Sequence, residues 1–223
     1  LHLIKPRRVA QGKAEGEEMI EADLRSWSRE VLEVPNAHLK GLPPCPYAAK
    51  AWRDDKVLVV QSEDLFADSI KHCETFDTGD KELVIIATFD LPEPGALHAL
   101  SEELNDRFPT LHCMTFHPEY DADDAGLDFL TDNEWESGVS QDYAMLFVQG
   151  LAQVVAASDR LQPLGYYDVY PPDEYEALVT NRKRRLTHGD ETSQDDREEN
   201  GEKEEHLQEN DARRHGRKAD GND

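Results

Sequence analysis

Leu83-Val-Ile-Ile-Ala-Thr-Phe89 is the strongest strand signal in the chain, and the elements on either side of it decide the fold. A short run of β-branched and apolar residues is typical of a strand buried on both faces. Residues 92–108 follow with apolar side chains at helical spacing, and residues 111–116 form a further strand-like run. Upstream, residues 56–61 predict another strand, followed by a helix that Ser62 is expected to cap.

This order predicts an α/β fold, a small βαβαβ sheet layered with helices. The connections are long enough for parallel crossovers, although a ferredoxin-like antiparallel arrangement would use the same elements. An amphipathic N-terminal helix is expected over residues 17–33, because apolar residues recur there at helical spacing. A long helix is predicted over roughly residues 141–161, and Pro171-Pro172-Asp173 indicates the start of a final C-terminal helix.

Polarity divides the chain into two parts. Residues 187–223 are rich in charged residues and contain one large aliphatic side chain, Leu207. Such a segment cannot bury enough apolar surface to offset the entropy of ordering it. We therefore expect a single α/β domain over residues 1–186 and a disordered, acidic, charged tail over residues 187–223.

The chain is strongly acidic, with 48 Asp and Glu against 24 Lys and Arg and a formal net charge of −24 at pH 7. This charge repels nucleic-acid phosphates and anionic membranes, and it suits basic proteins, cations or a high-salt environment. We expect no nucleic acid and no membrane as partner, but a small-molecule substrate or a basic protein. No apolar run approaches the roughly 20 residues that span a bilayer, which predicts a cytoplasmic protein.

A lone cysteine lies where a proline-rich loop leads into a short helix, in Gly41-Leu-Pro-Pro-Cys45-Pro-Tyr47. The N–H groups of a first helical turn, together with the macrodipole, favour a thiolate, and proline suits the first helical position. The pattern predicts a reactive thiol at Cys45. Cys73 and Cys113 complete an odd number without the spacing of a disulfide framework. Cys73 is expected in the core, on a helix face shared with Phe66.

Phe116-His117-Pro118-Glu119-Tyr120 provides the imidazole that such a thiol would use. His117 directly follows a predicted strand, and in parallel α/β sheets ligands bind beyond the carboxyl ends of the strands. In the catalytic interpretation, the Cys45 thiolate attacks an electrophile, His117 acts as base or acid, and Glu119 orients the imidazole. The basic run 182–185 is expected to complement a helix C-terminus, and His112 to be structural.

Two further interpretations of these residues stay open. In the metal interpretation, Cys45, His117, Glu119 and Asp121 together hold a divalent ion such as zinc or iron. In the structural interpretation, Cys45 is a small apolar residue that closes a loop, which is the commonest role of a free cysteine, and His117 only holds its turn together.

The order of these motifs resembles an uncharacterised bacterial family. Its members have a tryptophan-bearing helix, Cys-Pro-Phe-Ala, an α/β unit, Phe-His-Pro-Asp-Tyr, an Asn-containing loop and a helix opened by aromatic and leucine residues. The corresponding positions here are Trp27, Cys45-Pro46-Tyr47-Ala48, Phe116-His117-Pro118-Glu119-Tyr120, Asn133 and Tyr143-Ala144-Met145-Leu146. The resemblance covers about residues 20–160 and implies organisation and candidate positions without an activity.

Two functional classes follow from the sequence. The first is a small cytosolic enzyme that uses Cys45 and His117 in thiol-based or metal-assisted chemistry on a small polar substrate. The second is a non-catalytic acidic protein that binds a basic partner. Whether the chain is an enzyme stays open at this point, and the reactivity of Cys45 distinguishes the two classes.

Overall fold

The computed structural model describes residues 13–77, 79–118 and 143–188. A four-stranded mixed sheet is covered by helices, so the α/β fold is confirmed. The strands are β1 (Val57–Gln61), β2 (Leu83–Thr88), β3 (Leu111–Phe116) and β4 (Ala144–Gly150). The helices are α1 (Lys13–Trp27), α2 (Ala48–Arg53), α3 (Leu65–Glu74), α4 (Pro94–Arg107), α5 (Leu151–Leu161) and α6 (Pro172–Tyr175).

Two of these helices are extended by π-helical turns. One turn, Ser28–Leu32, continues α1, and the predicted N-terminal helix is therefore present. The other, Glu176–Thr180, continues α6 into a helical stretch over residues 181–188. We call residues 172–188 the C-terminal helix. It includes the first two residues of the predicted tail, and the rest of that tail lies outside the described residues.

The sheet has the strand order β1-β2-β4-β3. Strands β1 and β2 are parallel, and β4 runs antiparallel to both β2 and β3. Strands β1, β2 and β3 therefore point the same way, as the βαβαβ pattern predicts, but β4 separates β3 from β2. We call the side of the sheet where these three strands end the carboxyl edge, and the side where they begin the amino edge.

The helix predicted over residues 141–161 is wrong in its first half. Residues 144–150 form β4, and α5 begins only at Leu151. β4 is a central strand with helices on both faces, so Ala144 to Val148 are all buried and show no alternation of apolar and polar residues. An uninterrupted apolar run of this length fits a buried helix and a buried strand equally well.

Alternate side chains of the sheet form two apolar cores. Ile86 and Leu146 point to one face, where they pack with apolar residues of α3 and α4. Ile85 and Met145 point to the opposite face, where Ile20 of α1 and its neighbours cover them. Both cores contain residues from β2 and β4, because the two strands are central and buried on both sides.

The cap of α3 differs from the sequence expectation. Asp64 is the N-cap residue, and its carboxylate accepts a hydrogen bond from the Ala67 N–H at 3.1 Å. Ser62 instead donates through its hydroxyl to the Asp68 carboxylate at 2.7 Å. Cys73 is buried as predicted, whereas Phe66 is exposed, because the helix turns that position away from the sheet.

The direction of α1 fixes which residues lie at which edge. Gly16, near its start, lies against the side chain of Gln61, the last residue of β1, so closely that a Cβ at residue 16 would clash. The helix therefore starts at the carboxyl edge, and it packs along β1 through Ile20 and Leu24. Within residues 13–77, 79–118 and 143–188, no helix has the length and apolar character needed to cross a membrane.

Candidate functional site

Cys45 lies in a loop that is fixed from both sides. Its N–H donates to the carbonyl of Leu32, the last residue of the π-helical turn after α1, at 3.0 Å. Its own carbonyl accepts from the N–H of Ala48, the first residue of α2, at 3.1 Å. The Tyr166 hydroxyl donates to the Pro44 carbonyl at 2.5 Å. The loop is thus held by the end of one helix and by an aromatic side chain from far along the sequence.

The surroundings of Cys45 disfavour a thiolate. Burial raises the pKa of the Cys45 thiol, and the backbone N–H groups of Tyr47 and Ala48 lower it by a smaller amount. Glu33 raises the pKa further through its negative charge. The first helical turn does act as the sequence predicts, but α2 has only 6 residues and does not outweigh the loss of solvent. At neutral pH the group is a thiol.

A cluster of tyrosines packs beside the Cys45 loop. The Tyr166 ring is buried and packs edge-on against Tyr167, with their centroids 4.9 Å apart. Tyr47, from the loop of Cys45, packs against the same cluster. Burial raises the pKa of Tyr166 above its ordinary value. The aromatic segment therefore anchors the Cys45 loop through packing.

His117 has a structural partner at the carboxyl edge. Its side chain is buried, and its Nε2–H donates to the Pro92 carbonyl at 2.9 Å. This bond ties the end of β3 to the loop that follows β2. Nε2 carries the proton in this arrangement, so it is not a free base.

The structure does not bring Cys45 and His117 together. Leu32, which binds the Cys45 N–H, lies 16 residues beyond Gly16 along a helical path, a distance of about 24 Å. Because Gly16 lies at the carboxyl edge, Cys45 lies near the amino edge. His117 directly follows β3 at the carboxyl edge. The two side chains lie at opposite edges of the sheet.

The other expected site residues, Glu119 and Asp121, lie outside the described residues, as does Asn133. Across the described ranges, no group of three or more His, Cys, Asp or Glu side chains is placed to hold a metal ion. The catalytic and the metal interpretation both require Cys45 beside His117, and neither gains support from the geometry.

The carboxyl edge carries a surface that the sequence analysis missed. Three large apolar side chains are exposed there: Phe66 at 44%, Phe89 at 37% and Leu91 at 39%. They lie in the segments that leave the neighbouring strands β1 and β2, together with the exposed carboxylates of Glu63, Asp90 and Glu93. Phe66 belongs to α3, which covers one face of the sheet, whereas Phe89 contacts Tyr143 of the opposite core. We call these six residues, on both sides of this edge, the carboxyl-edge surface.

This surface has a single sign of charge. Neither residues 62–70 nor residues 88–94 contain a lysine or an arginine. The Asp90 N–H donates to the Thr88 hydroxyl at 3.2 Å, and Phe89 packs edge-on against Tyr143 at a centroid distance of 5.7 Å. The segment after β2 is therefore held in place by local contacts. Its acidic residues were visible in the sequence, but the exposure of its apolar residues was not.

Comparisons of the chain with models of protein families, with curated proteins and with solved structures found no match. The resemblance to a bacterial family stays a prediction, and the function must be argued from the geometry.

Proposed function

We propose that this protein is a non-catalytic binding protein whose carboxyl-edge surface engages a basic partner that also carries apolar side chains. The observation behind this proposal is the exposure of Phe66, Phe89 and Leu91 among carboxylates, in segments without a basic residue. Exposed apolar groups surrounded by polar ones are typical of protein interaction sites.

The two kinds of residue serve different steps of binding. Carboxylates on a protein with a net charge of −24 attract a basic partner over a distance and raise the rate of association. Aromatic and leucine side chains then provide most of the affinity, because contact removes their apolar surface from water. Charge and apolar contact together would select a basic amphipathic segment over a merely basic one.

The thiol chemistry considered from the sequence has less support. The pKa of Cys45 is raised by burial and by Glu33, and His117 is bound to the Pro92 carbonyl at the other edge. A nucleophilic cysteine reacts as the thiolate, which a lowered pKa or a base within hydrogen-bond reach provides. In the binding interpretation, both residues hold loops, and the bonds from the Cys45 N–H to the Leu32 carbonyl and from His117 to the Pro92 carbonyl support this.

A binding experiment with two peptides tests the proposal. A fluorescent amphipathic helical peptide, with lysines on one face and leucines on the other, is titrated with the full chain, and polylysine of equal length is the comparison. Removing two exposed apolar groups, Phe66→Ser with Leu91→Ser, should weaken binding of the amphipathic peptide about tenfold or more. Binding of polylysine should change little.

A matched control removes apolar groups elsewhere on the surface. Val34 is 46% exposed and Leu164 is 57% exposed, and neither belongs to the carboxyl-edge surface. The pair Val34→Ser with Leu164→Ser should leave both peptides bound as before. Equal weakening by the two pairs, or equal affinity of the wild type for both peptides, would refute the proposal.

A pair of charge-neutralising substitutions tests the electrostatic contribution to binding separately. Asp90→Asn with Glu93→Gln should slow association with the amphipathic peptide and reduce its salt dependence. Glu102→Gln with Glu103→Gln, on the exposed side of α4, changes the net charge by the same amount. If this second pair slows association as much as the first, the effect belongs to the whole acidic body rather than to the carboxyl edge.

A further inference from the structure

Two cysteines that are far apart in the sequence touch in the core. The Sγ atoms of Cys73 and Cys113 lie 3.8 Å apart, so one thiol can donate to the other. Cys73 belongs to the last turn of α3, and Cys113 belongs to β3. Both are free thiols, and both are part of the core that contains Ile86 and Leu146. We call Cys73 and Cys113 the thiol pair.

The fold holds one sulfur in place and leaves the other room to move. A disulfide has sulfur atoms about 2 Å apart, so the pair must approach by roughly 1.8 Å in total. The backbone of Cys113 is fixed, because the Asn105 side chain binds its carbonyl at 2.8 Å and its N–H at 2.9 Å. Cys73 is the second-last residue of its helix. A small shift of that helix end, with rotation of both side chains, closes the gap.

Cys73 is also the member of the pair that solvent reaches more easily. Both side chains are buried, but the ends of helices open more readily than their centres. A cavity of about 400 Å³ lies between the segment after α3 and the start of β3, with Phe76 and Leu111 in its lining. Phe76 follows Cys73 by three positions, and Leu111 precedes Cys113 by two on the same face of the sheet. Opening of the last turn of α3 therefore exposes Cys73 where the structure already has space.

The charges around the pair favour Cys73 as the nucleophile. Donation from the Cys113 S–H lowers the pKa of the Cys73 thiol, and the positive charge of Arg107 lowers it further, against the effects of burial and of Glu74. The same hydrogen bond raises the pKa of Cys113, and burial adds to this rise. The thiolate is the form that attacks a disulfide. Cys73 is thus the residue that reacts first.

We propose that Cys73 and Cys113 form a reversible disulfide by exchange with a low-molecular-weight disulfide. The Cys73 thiolate attacks one sulfur of that reagent, forms a mixed disulfide and releases one thiolate. Cys113 then loses its proton to solvent and attacks the Cys73 sulfur, which forms the protein disulfide and releases the second thiolate. The protein gives up two electrons and two protons, and the reagent is reduced to two thiols.

The disulfide would join α3 to β3 across 40 positions of the chain. The closed loop contains β2 and α4, so a covalent bond would hold elements that packing alone holds in the dithiol form. A cross-link of this kind stabilises the folded state mainly by restricting the unfolded chain. The inference is independent of the proposed binding function, because no residue of the carboxyl-edge surface takes part in it.

A redox titration of the folded and the unfolded chain tests the proposal. Cys45→Ser is the background, so that only the thiol pair remains. The full chain is equilibrated with mixtures of reduced and oxidised glutathione, with and without urea, and mass spectrometry of acid-quenched peptides locates the disulfide. Reducing strength is the squared concentration of reduced glutathione divided by that of oxidised glutathione. Half of the folded chains should stay cross-linked at a reducing strength about 100-fold or more above the value for the unfolded chain.

Thermal unfolding gives the reciprocal measurement in the same background. The oxidised chain should unfold at a midpoint roughly 5 °C or more above that of the reduced chain. Cys113→Ala added to Cys45→Ser is the matched control, because this variant cannot form the cross-link. The same oxidation should not raise its midpoint. Should this variant not fold, the titration of the thiol pair still decides the question.

Two single-cysteine variants in the Cys45→Ser background test the order of attack. Cys113→Ala should accumulate glutathione on Cys73, because the mixed disulfide has no second thiol to displace the glutathione. Cys73→Ala should accumulate glutathione on Cys113 more slowly, since that thiol lies on a strand whose backbone is fixed. Faster modification of Cys113 than of Cys73 would overturn the assigned order.

The proposal as a whole fails if the folded and the unfolded chain are oxidised at the same reducing strength. It also fails if Cys73 and Cys113 of the folded chain stay thiols, or each carry glutathione, where the unfolded chain is already cross-linked. Disulfides between two chains in place of the internal one would be equally contrary, and non-reducing electrophoresis detects them.

Discussion

At Cys45 two opposing effects act on the pKa of one thiol, and the larger effect decides whether the thiol ionises. Two N–H groups at the start of α2 stabilise the thiolate, whereas burial and the carboxylate of Glu33 destabilise it. Glu33 cannot turn away easily, because it accepts hydrogen bonds from Arg25 at 3.2 Å and from the Ser28 hydroxyl at 2.8 Å. The thiolate is therefore disfavoured by contacts that the fold itself maintains.

Alkylation kinetics at Cys45 check this balance. The rate should keep rising with pH beyond 9, the ordinary pKa of the group, because the pKa is raised. Glu33→Gln removes the nearby negative charge and should lower the midpoint of the rate profile. Glu30→Gln, an exposed change in the same segment, should not. A midpoint below neutral pH in the wild type would restore the thiol-enzyme hypothesis.

His112 makes stability depend on pH in a defined window. Burial is the main cause that lowers its pKa from 6.5 to about 3, and the charges of Arg182 and Arg185 add to the effect. The unfolded chain binds the proton more readily than the folded one, so the contribution is complete above pH 6.5 and is lost as the pH falls toward 3.

The measurement is chemical denaturation in phosphate-free buffer at several pH values. Relative to His112→Phe, the wild type should lose on the order of 3 kcal/mol of unfolding free energy between about pH 6.5 and pH 4. The difference between the two stability profiles excludes the contribution of the carboxylates, because these groups titrate in both proteins. Parallel pH profiles for the two proteins would contradict the prediction.

At the scale of elements, the outer edge of β3 is closed by side chains. Asn105 of α4 donates through Nδ2 to the Cys113 carbonyl at 2.8 Å, and its Oδ1 accepts from the Cys113 N–H at 2.9 Å. One amide side chain thus satisfies both backbone groups of a strand residue. Arg185 binds the Leu111 carbonyl on the same strand. An edge strand with paired backbone groups is protected against pairing with other chains.

Replacing Asn105 should open that edge. Asn105→Ala is expected to lower the free energy of unfolding by about 1–3 kcal/mol, because two backbone groups lose their partner. Self-association should also rise with protein concentration, which analytical ultracentrifugation detects. Asn181→Ala, which removes an exposed amide that accepts from Arg184, should change stability by about 0.5 kcal/mol or less. Similar stabilities for the two variants would show that Asn105 does not protect β3.

The same scale shows which elements the sequence predicts. β2 and α4 follow from local patterns, because the run 83–88 contains Val84, Ile85 and Ile86, and Leu97, Leu100 and Leu104 recur at helical spacing. β4 does not follow from a local pattern, because Met145, Leu146 and Phe147 would suit a helix or a strand. Pairing with β2 on one side and β3 on the other determines the strand conformation. Strand pairing between distant segments has no local signature.

At the scale of the molecule, the sequence could offer candidate site residues but not their distances. Cys45 and His117 each occupy the kind of turn that the motifs predict. The separation between Cys45 and His117 depends on the direction of α1 and on the strand order. The residues of the two turns predict neither of these. The hydrogen bonds from Arg185 to the Asn105 and Leu111 carbonyls are equally non-local, because the arginine follows both residues by more than seventy positions.

The net charge of −24 also has a consequence for the whole molecule. Excess negative charge repels itself most in the compact state, and salt screens this repulsion. The midpoint of thermal unfolding should therefore rise between roughly 0.01 M and 0.5 M sodium chloride, over which the screening length falls from about 30 Å to about 4 Å. A midpoint that falls or stays constant would show that self-repulsion does not limit stability.

The central position of β4 also bears on synthesis at the ribosome. β3 forms its ladder only with β4 among the described strands, so the sheet cannot be completed until residues 144–150 have left the exit tunnel. Until then, one edge of β2 lacks its paired strand, and β3 has no strand to pair with. We expect the nascent chain to stay unfolded and open to chaperones until residues 144–150 have emerged, and then to close in one late step.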